Sequence, residues 1–128
     1  MIKLLAGLAL VAAFFSACGS DDGSPIAAQN WQGINIRVET RPSPPVAGMA
    51  EILVIATKPE GKPAYDLLVS LRTSDTDPWI QSIQDGHLGV YRRAAKLDVG
   101  ERSTLQVKIQ RGQEETVLYF PLKLSDQS

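Results

Sequence analysis

The side chain with the most distinctive chemistry in this sequence is Cys18, because it is the only cysteine of the chain. A lone thiol has no partner for an intramolecular disulfide, so its position needs another chemical reason. Residues 4–15 form an apolar run that follows the basic residue Lys3 and precedes the small residues Ser16 and Ala17. This order of basic, apolar and small residues is typical of an export signal. The apolar run is shorter than the roughly 20 residues that a transmembrane helix needs.

The four residues Phe15-Ser16-Ala17-Cys18 resemble the lipobox of bacterial lipoproteins, with Phe15 where leucine is usual. The resemblance implies a signal peptide at 1–17, cleavage before Cys18, and lipid on the cysteine, palmitate among its chains. Two or more acyl chains anchor a protein stably, at about 0.8 kcal/mol per buried methylene. Enterobacterial lipoproteins with aspartate after the cysteine stay at the inner membrane. Gly19 at that position therefore implies the outer membrane, with the domain facing the periplasm.

The composition of the remaining chain indicates one small domain that does not bind nucleic acid. Without Lys3 it carries 12 basic and 14 acidic side chains, a formal charge of −2, whereas nucleic-acid binders show a basic excess or a basic face. The polar, unpatterned stretch at 18–32 buries too little apolar area to offset its ordering entropy, so it is predicted to be a flexible tether. The domain is then expected at 33–125, with a tail at 126–128.

Apolar residues alternate with polar ones along most of the expected domain. In "INIRVETR" the side chains of Ile34, Ile36 and Val38 share one face, which predicts a half-buried strand. The six predicted strands are 34–41, 49–58, 65–73, 89–97, 103–111 and 116–124, with a short seventh at 79–83. Their predicted inward residues beyond 38 are Ile52, Val54, Leu67, Val69, Leu71, Tyr91, Ala95, Leu97, Leu105, Val107, Ile109, Leu118, Phe120, Leu122 and Leu124.

Turn residues and the absence of long helical periodicity complete the fold prediction. Gly112-Gln113 suits a two-residue hairpin with glycine in the first central position. Pro121 cannot donate to a sheet ladder, so the last strand is expected at an edge or interrupted there. About seven antiparallel strands in this length predict an all-β, immunoglobulin-like β-sandwich. The inter-sheet disulfide of antibody domains cannot form here, because Cys18 has no partner.

Two segments resemble the small exported domains called YtkA-like or FixH-like. They are "RPSPPVAGMAEILVIATKPEGKPAYDLLVSL" and "GVYRRAAKLDVGERSTLQVKI", which share a proline-rich approach, a G-x-P turn and a G-x-Y strand start with that family. The resemblance implies the sandwich fold and an accessory role in copper handling or respiratory-oxidase assembly. Under this alternative, His87 and Met49 are the candidate copper ligands, since imidazole and thioether are soft ligands.

Each candidate ligand also has a structural interpretation. His87 follows Asp85-Gly86 and is expected to be an exposed turn residue, while Met49 is expected to pack at the start of a strand. A dedicated copper site gathers three or more soft ligands, and this pair supplies two. No cofactor other than the lipid on Cys18 is therefore expected.

The pattern of polar residues does not indicate an enzyme. A catalytic triad would have to use His87, the single histidine, and no nucleophile-elbow sequence accompanies it. Asp75, Asp77 and Asp85 could supply the two carboxylates of a glycosidase, but aspartates in such loops usually favour turns and stay solvated.

The stretch "SDTDPWIQSIQDGH" is the longest insertion between clear strands and the favoured partner-binding segment. Trp79 and Ile80 are predicted to contact another envelope protein, unless Trp79 turns inward and plugs one end of the sandwich. Arg92 and Arg93 should project to opposite faces, one at the core rim beside a loop aspartate and the other in solvent. The sequence thus predicts a lipid-anchored, non-catalytic binding or structural module. A carbohydrate-binding module is a third hypothesis, and an edge strand is a second route to a partner.

Overall fold

The computed structural model describes residues 26–125. Cys18, the signal sequence predicted at 1–17 and the tail at 126–128 lie outside the described residues. Within the described range the chain forms nine strands and one short 3-10 helix at Gly100–Ser103. The strands are β1 (Gln29–Trp31), β2 (Ile34–Arg41), β3 (Gly48–Thr57), β4 (Leu68–Arg72), β5 (Ile80–Gln81), β6 (Ile83–Gln84), β7 (Val90–Leu97), β8 (Thr104–Arg111) and β9 (Glu114–Pro121).

The strands form two antiparallel sheets that pack face to face. The five-stranded sheet has the order β1-β2-β3-β7-β6, and the four-stranded sheet has the order β5-β4-β8-β9. Counted from β2, these orders match the ABED and CFG sheets of the immunoglobulin fold, with β5 added beside the second sheet. The predicted all-β sandwich of the immunoglobulin-like class is confirmed.

The core lies between the sheets and follows the alternation in the sequence. Strand β2 alternates perfectly between buried and exposed residues, beginning with a buried Ile34. Burying an aliphatic side chain contributes about 1.5–3 kcal/mol, so this cluster is the main stabilising feature. The predicted inward residues are all buried or packed against the core, with Ala95, Leu118 and Leu124 only partly buried.

The N-terminal boundary of the domain differs from the sequence prediction. The tether was expected to end at residue 32, but β1 already pairs with β2 from Gln29, opposite Ile36. Gln32 and Gly33 both have positive φ, 54° and 82°, as in a type I′ turn. Gly33 N–H donates to the Asn30 side-chain oxygen at 3.0 Å, which stabilises this turn. The boundary was missed because Gln-Gly is a weaker turn signal than Asn-Gly.

The predicted strand at 79–83 is two strands that belong to different sheets. Ile80 and Gln81 pair with β4, whereas Ile83 and Gln84 pair with β7. Ser82 lies at the crossing, where its N–H and its hydroxyl both donate to the Val69 carbonyl, at 2.8 and 2.7 Å. This segment therefore crosses from one sheet to the other within five residues.

The last hairpin agrees with the sequence prediction. Arg111 pairs with Glu114 across Gly112-Gln113, and Gly112 has a φ of +62°. Strand β9 lies at the edge of its sheet and ends at Pro121, as expected for a residue without an N–H. Between residues 26 and 125 no helix has the length and hydropathy to cross a membrane.

Candidate functional site

Four apolar residues with exposed surface lie together on the side of the sandwich where the chain crosses between the sheets. We call them the Met49 patch: Met49, Ile80, Ile83 and Ala94. Met49 and Ile83 are 67 % and 62 % exposed, and Ile80 is 38 % exposed. Two depressions share Met49 and Ala94 as lining residues. One, of about 210 Å³, reaches Leu71 between the sheets, and the other, of about 590 Å³, lies on the outer surface beside Ile83.

Charged side chains border this patch. The Arg92 guanidinium lies 3.5 Å from the Glu51 carboxylate and 3.9 Å from that of Asp85. Arg93 occupies an inward register position opposite Ile52, yet its side chain is exposed. The arginine at the core rim was predicted to meet a loop aspartate, but the outward-facing Arg92 contacts Asp85, while Arg93, at the inward register position, is exposed.

The part of β7 next to the patch is an open sheet edge. Strand β6 pairs only with Tyr91 and Arg92, so Arg93–Leu97 has β3 on one side and no strand on the other within residues 26–125. The Thr73 hydroxyl donates to the Lys96 carbonyl at 2.9 Å. The backbone of Ala94, between these contacts, has no neighbouring strand on that side in the described chain.

Trp79 lies outside the patch, on the outer surface of the four-stranded sheet. Its ring centroid is 4.2 Å from the Arg72 guanidinium carbon and 5.0 Å from the Lys108 ammonium nitrogen. Cation–π contacts of this kind contribute about 0.5–1 kcal/mol each at exposed sites. Trp79 therefore neither projects freely from a loop nor plugs the end of the sandwich. Of the four predicted partner-binding residues, Arg92 and Arg93 line the outer depression, Ile80 lines the inner one, and Trp79 lines neither.

The loop before Trp79 is fixed by ion pairs and hydrogen bonds. The Arg102 guanidinium makes a bidentate contact with the Asp77 carboxylate and also donates to the Thr73 hydroxyl. Gln106 donates to the Asp75 carboxylate at 2.7 Å. The hydrogen bonds from Arg102 lower the pKa of the Asp77 carboxyl, and the same contact raises the pKa of Arg102.

Each of the three loop aspartates contacts a different side chain. Asp77 contacts Arg102, Asp75 contacts Gln106, and Asp85 contacts Arg92. Glycoside hydrolysis needs two carboxylates that face one scissile bond. Asp77 and Asp85 instead take part in ion pairs with arginines. The sequence predicted solvated loop aspartates, but Asp77 is half-buried.

The two predicted copper ligands lie at opposite ends of the domain. Met49 is the second residue of β3, while His87 is two residues before Gly89, whose carbonyl accepts from Ala56 N–H near the other end of β3. Seven residues of extended chain span about 23 Å, too far for one ion to bind both side chains. His87 is exposed and its ring lies 4.8 Å from that of Tyr65.

Copper binding by Met49 or His87 separately stays a prediction. Among residues 26–125 no group of three or more His, Cys, Asp or Glu side chains is placed to hold a metal ion. The expectation that Met49 packs at a strand start was wrong, because its side chain is 67 % exposed and points to the outer surface like that of Glu51. Because side chains alternate along a strand, the inward assignment of Ile52 and Val54 already implied that Met49 faces outward.

Sequence reasoning missed Ala94, the open edge of β7 and the clamp between Arg102 and Asp77. The clamp joins residues 25 positions apart in sequence, and no local pattern reports such a pair. A scan against models of known families, a search of curated proteins and a search of solved structures each found no match to this chain.

Proposed function

We propose that this chain is a lipid-anchored protein of the bacterial cell envelope whose β-sandwich binds another envelope protein without catalysing a reaction. The Met49 patch is the observation on which this proposal rests. Isolated apolar residues are common on protein surfaces, but a contiguous group bordered by charged residues is typical of a protein interface. Here Met49, Ile80 and Ile83 are exposed around Ala94, with Arg92 and Glu51 at the border.

The lipobox-like sequence supports the envelope location. An acylated Cys18 would hold the domain at the membrane surface, where its effective concentration toward other envelope proteins is high. The composition supports a protein partner over nucleic acid, because the chain has no basic excess. Methionine adapts its shape to many apolar surfaces, which favours Met49 as a contact residue.

Photo-crosslinking in living cells tests this function directly. A photoreactive amino acid is introduced into the full chain at position 83, and a matched variant carries it at position 119. Tyr119 is 53 % exposed, similar to Ile83, but belongs to the other sheet. We expect one discrete crosslinked protein from position 83 and none of the same mass from position 119.

A point variant makes the test quantitative. Met49→Asp places a charge in the patch without touching the core, so the melting temperature should stay within about 2 °C while crosslinking from position 83 falls at least tenfold. Equal crosslinking from both positions, or crosslinking that Met49→Asp leaves unchanged, would remove the patch as the binding surface.

A further inference from the structure

We propose that the partner binds by adding an extended, acidic segment as a strand to the open edge of β7. This inference rests on the proposed function, since it names the way in which the Met49 patch holds its partner. The added strand would occupy the line of β6, which covers only Tyr91 and Arg92. It would pair with Arg93–Leu97 and continue the five-stranded sheet.

The direction of the backbone groups supports this mode of binding. The Val90 carbonyl accepts from Asp85 N–H at 2.8 Å and therefore points toward β6. The Gly89 carbonyl accepts from Ala56 N–H and points toward β3. Backbone groups of successive residues in a strand point to alternate sides, so Ala94 and Lys96 share the orientation of Val90. The N–H and C=O of Ala94 and the N–H of Lys96 thus face the open edge.

Both sides of this edge have room for side chains. The depression of about 210 Å³ toward the core is lined by Leu71, Ile80 and Ala95, and the one of about 590 Å³ lies on the outer surface. Side chains of an added strand alternate between these two sides. A residue opposite Ala95 would therefore be apolar, while a residue opposite Lys96 would lie on the outer, charged surface.

The charges at the edge select an acidic partner. Arg93 and Lys96 are both exposed, and neither takes part in an ion pair among the described residues. A second copy of the chain fits poorly, because self-pairing is limited to Arg93–Leu97, the stretch that β6 leaves free. Antiparallel pairing over that stretch, centred on Ala95, brings the Arg93 and Lys96 side chains of both copies to one seam with no carboxylate among the paired residues. Like charges held close together repel each other. Acidic residues opposite Arg93 and Lys96 would instead form complementary pairs.

A synthetic peptide tests the mode of binding on the full-length chain in detergent micelles. The probe is acetyl-Thr-Asp-Val-Thr-Asp-amide, which places aspartates opposite Lys96 and Arg93 and valine opposite Ala95. The control peptide carries lysine in place of both aspartates. Hydrogen exchange is followed by NMR at single amides. We expect saturating probe to slow exchange of the Ala94 and Lys96 amides at least tenfold, and the control peptide to leave both rates unchanged.

Two variants separate strand pairing from a loose electrostatic contact. Ala94→Pro removes the edge donor, so the probe should no longer protect the remaining reporter, the Lys96 amide. The matched variant is Val117→Pro, at the free edge of β9. The Tyr119 carbonyl accepts from the Gln29 side chain at that edge, and the backbone of Val117, two residues earlier, points the same way. The Val117→Pro protein should bind the probe normally. If Ala94→Pro fails to fold, the double variant Arg93→Glu and Lys96→Glu decides the matter through amide exchange. The lysine peptide should then slow exchange of the Ala94 and Lys96 amides, which a loose electrostatic contact would leave unchanged.

The outcomes distinguish this inference from the proposed function. No amide protection, or protection that persists in Ala94→Pro, would overturn strand addition. Peptide-independent dimers that Ala94→Pro dissociates would identify a second copy as the occupant and would also overturn it. If crosslinking from position 83 survives Ala94→Pro but not Met49→Asp, the proposed function stands and strand addition is wrong.

Discussion

At the scale of single residues, Tyr91 joins the core to the loop between β3 and β4. Its side chain is only 2 % exposed, and its hydroxyl donates to the Ala64 carbonyl at 2.9 Å while accepting from Leu67 N–H at 3.3 Å. Burial raises the pKa of the Tyr91 hydroxyl, because a charged phenolate is unfavourable in an apolar core. The ring fills the core and the hydroxyl fixes a loop that has no regular ladder of its own.

Replacing Tyr91 by phenylalanine should destabilise the domain while preserving its core volume. The buried Leu67 N–H loses its acceptor, and an unsatisfied buried group costs about 1–3 kcal/mol. Urea unfolding at pH 7 measures this change, with the exposed Tyr119→Phe as the control near zero. The pKa of Tyr91 is higher in the folded than in the unfolded state. The stabilising effect of the hydroxyl is therefore complete below 10.0, the unfolded pKa, and is lost as the pH rises through the higher folded pKa. A Tyr91→Phe protein as stable as the parent would show that the hydroxyl bonds contribute nothing.

The ion pair between Asp77 and Arg102 should make stability depend on acid pH. The pKa of Asp77 is lowered in the folded state from 3.8, so its contribution is present above about pH 4 and is lost as the pH falls toward the lowered folded pKa. Asp77→Asn should therefore unfold at a urea concentration similar to that of the parent at low pH and at a lower one at pH 6. Asp66→Asn, an exposed site outside this clamp, is the matched control. A difference that does not change between pH 2 and pH 6 would contradict the prediction.

At the scale of elements, the turn before β7 depends on close backbone approach. Gly89 has a φ of +75°, and a Cβ there would lie 2.6 Å from the Ala56 carbonyl oxygen and 3.1 Å from Pro63 Cβ. The same carbonyl accepts from Ala64 N–H. Glycine at this position lets the β6–β7 turn pack against the end of β3 and the loop that follows it.

Gly89→Ala should destabilise the domain more than Gly112→Ala does. Both glycines have positive φ, so alanine strains either backbone by about 1 kcal/mol, but a Cβ added at Gly112 would meet no atom within 4 Å. The clash at Gly89 should add about 1–3 kcal/mol, the usual cost of overpacking. Thermal unfolding of both variants measures the difference, and equal losses of stability would show that the contact at Gly89 relaxes freely.

Most of the longer strands were predictable because burial along them follows, at least in part, a period of two. Ile34, Leu105 and Phe120 were all assigned to the core from alternation alone, and each is buried. The sheet partners of the segment at 79–83 were not predictable in this way. Ile80 and Ile83 belong to different sheets because Ser82 bonds to Val69 between them, and such a contact leaves no periodic signal.

At the scale of the whole molecule, the position of the candidate surface was predictable only in part. Ile80 lines the inner depression of the Met49 patch and Arg92 and Arg93 line the outer one, whereas Met49 was assigned to packing and proves to be exposed. The open edge exists because β6 has only two residues opposite the eight of β7. Strand lengths of this kind depend on pairing between distant segments, so local patterns do not determine them.

Replacing Cys18 should release the whole protein from the membrane. A diacylated cysteine anchors stably, whereas the domain alone has an almost balanced charge. We expect the parent chain to incorporate an alkyne analogue of palmitate and to sediment with membranes. The Cys18→Ser chain should incorporate none and remain in the supernatant after export. A parent chain that incorporates no label, or a Cys18→Ser chain that incorporates as much as the parent, would refute the lipid anchor.

The double hydrogen bond from Ser82 to Val69 has a consequence for how the molecule fails. The segment that contains Ser82 supplies an edge strand to each of the two sheets, so its detachment would expose backbone groups of β4 and β7 together. Exposed strand edges are where sheet proteins begin to associate into fibrils. We therefore expect Ser82→Ala, which removes one of the two hydrogen bonds to Val69, to form fibrils sooner than the parent during prolonged storage at high concentration.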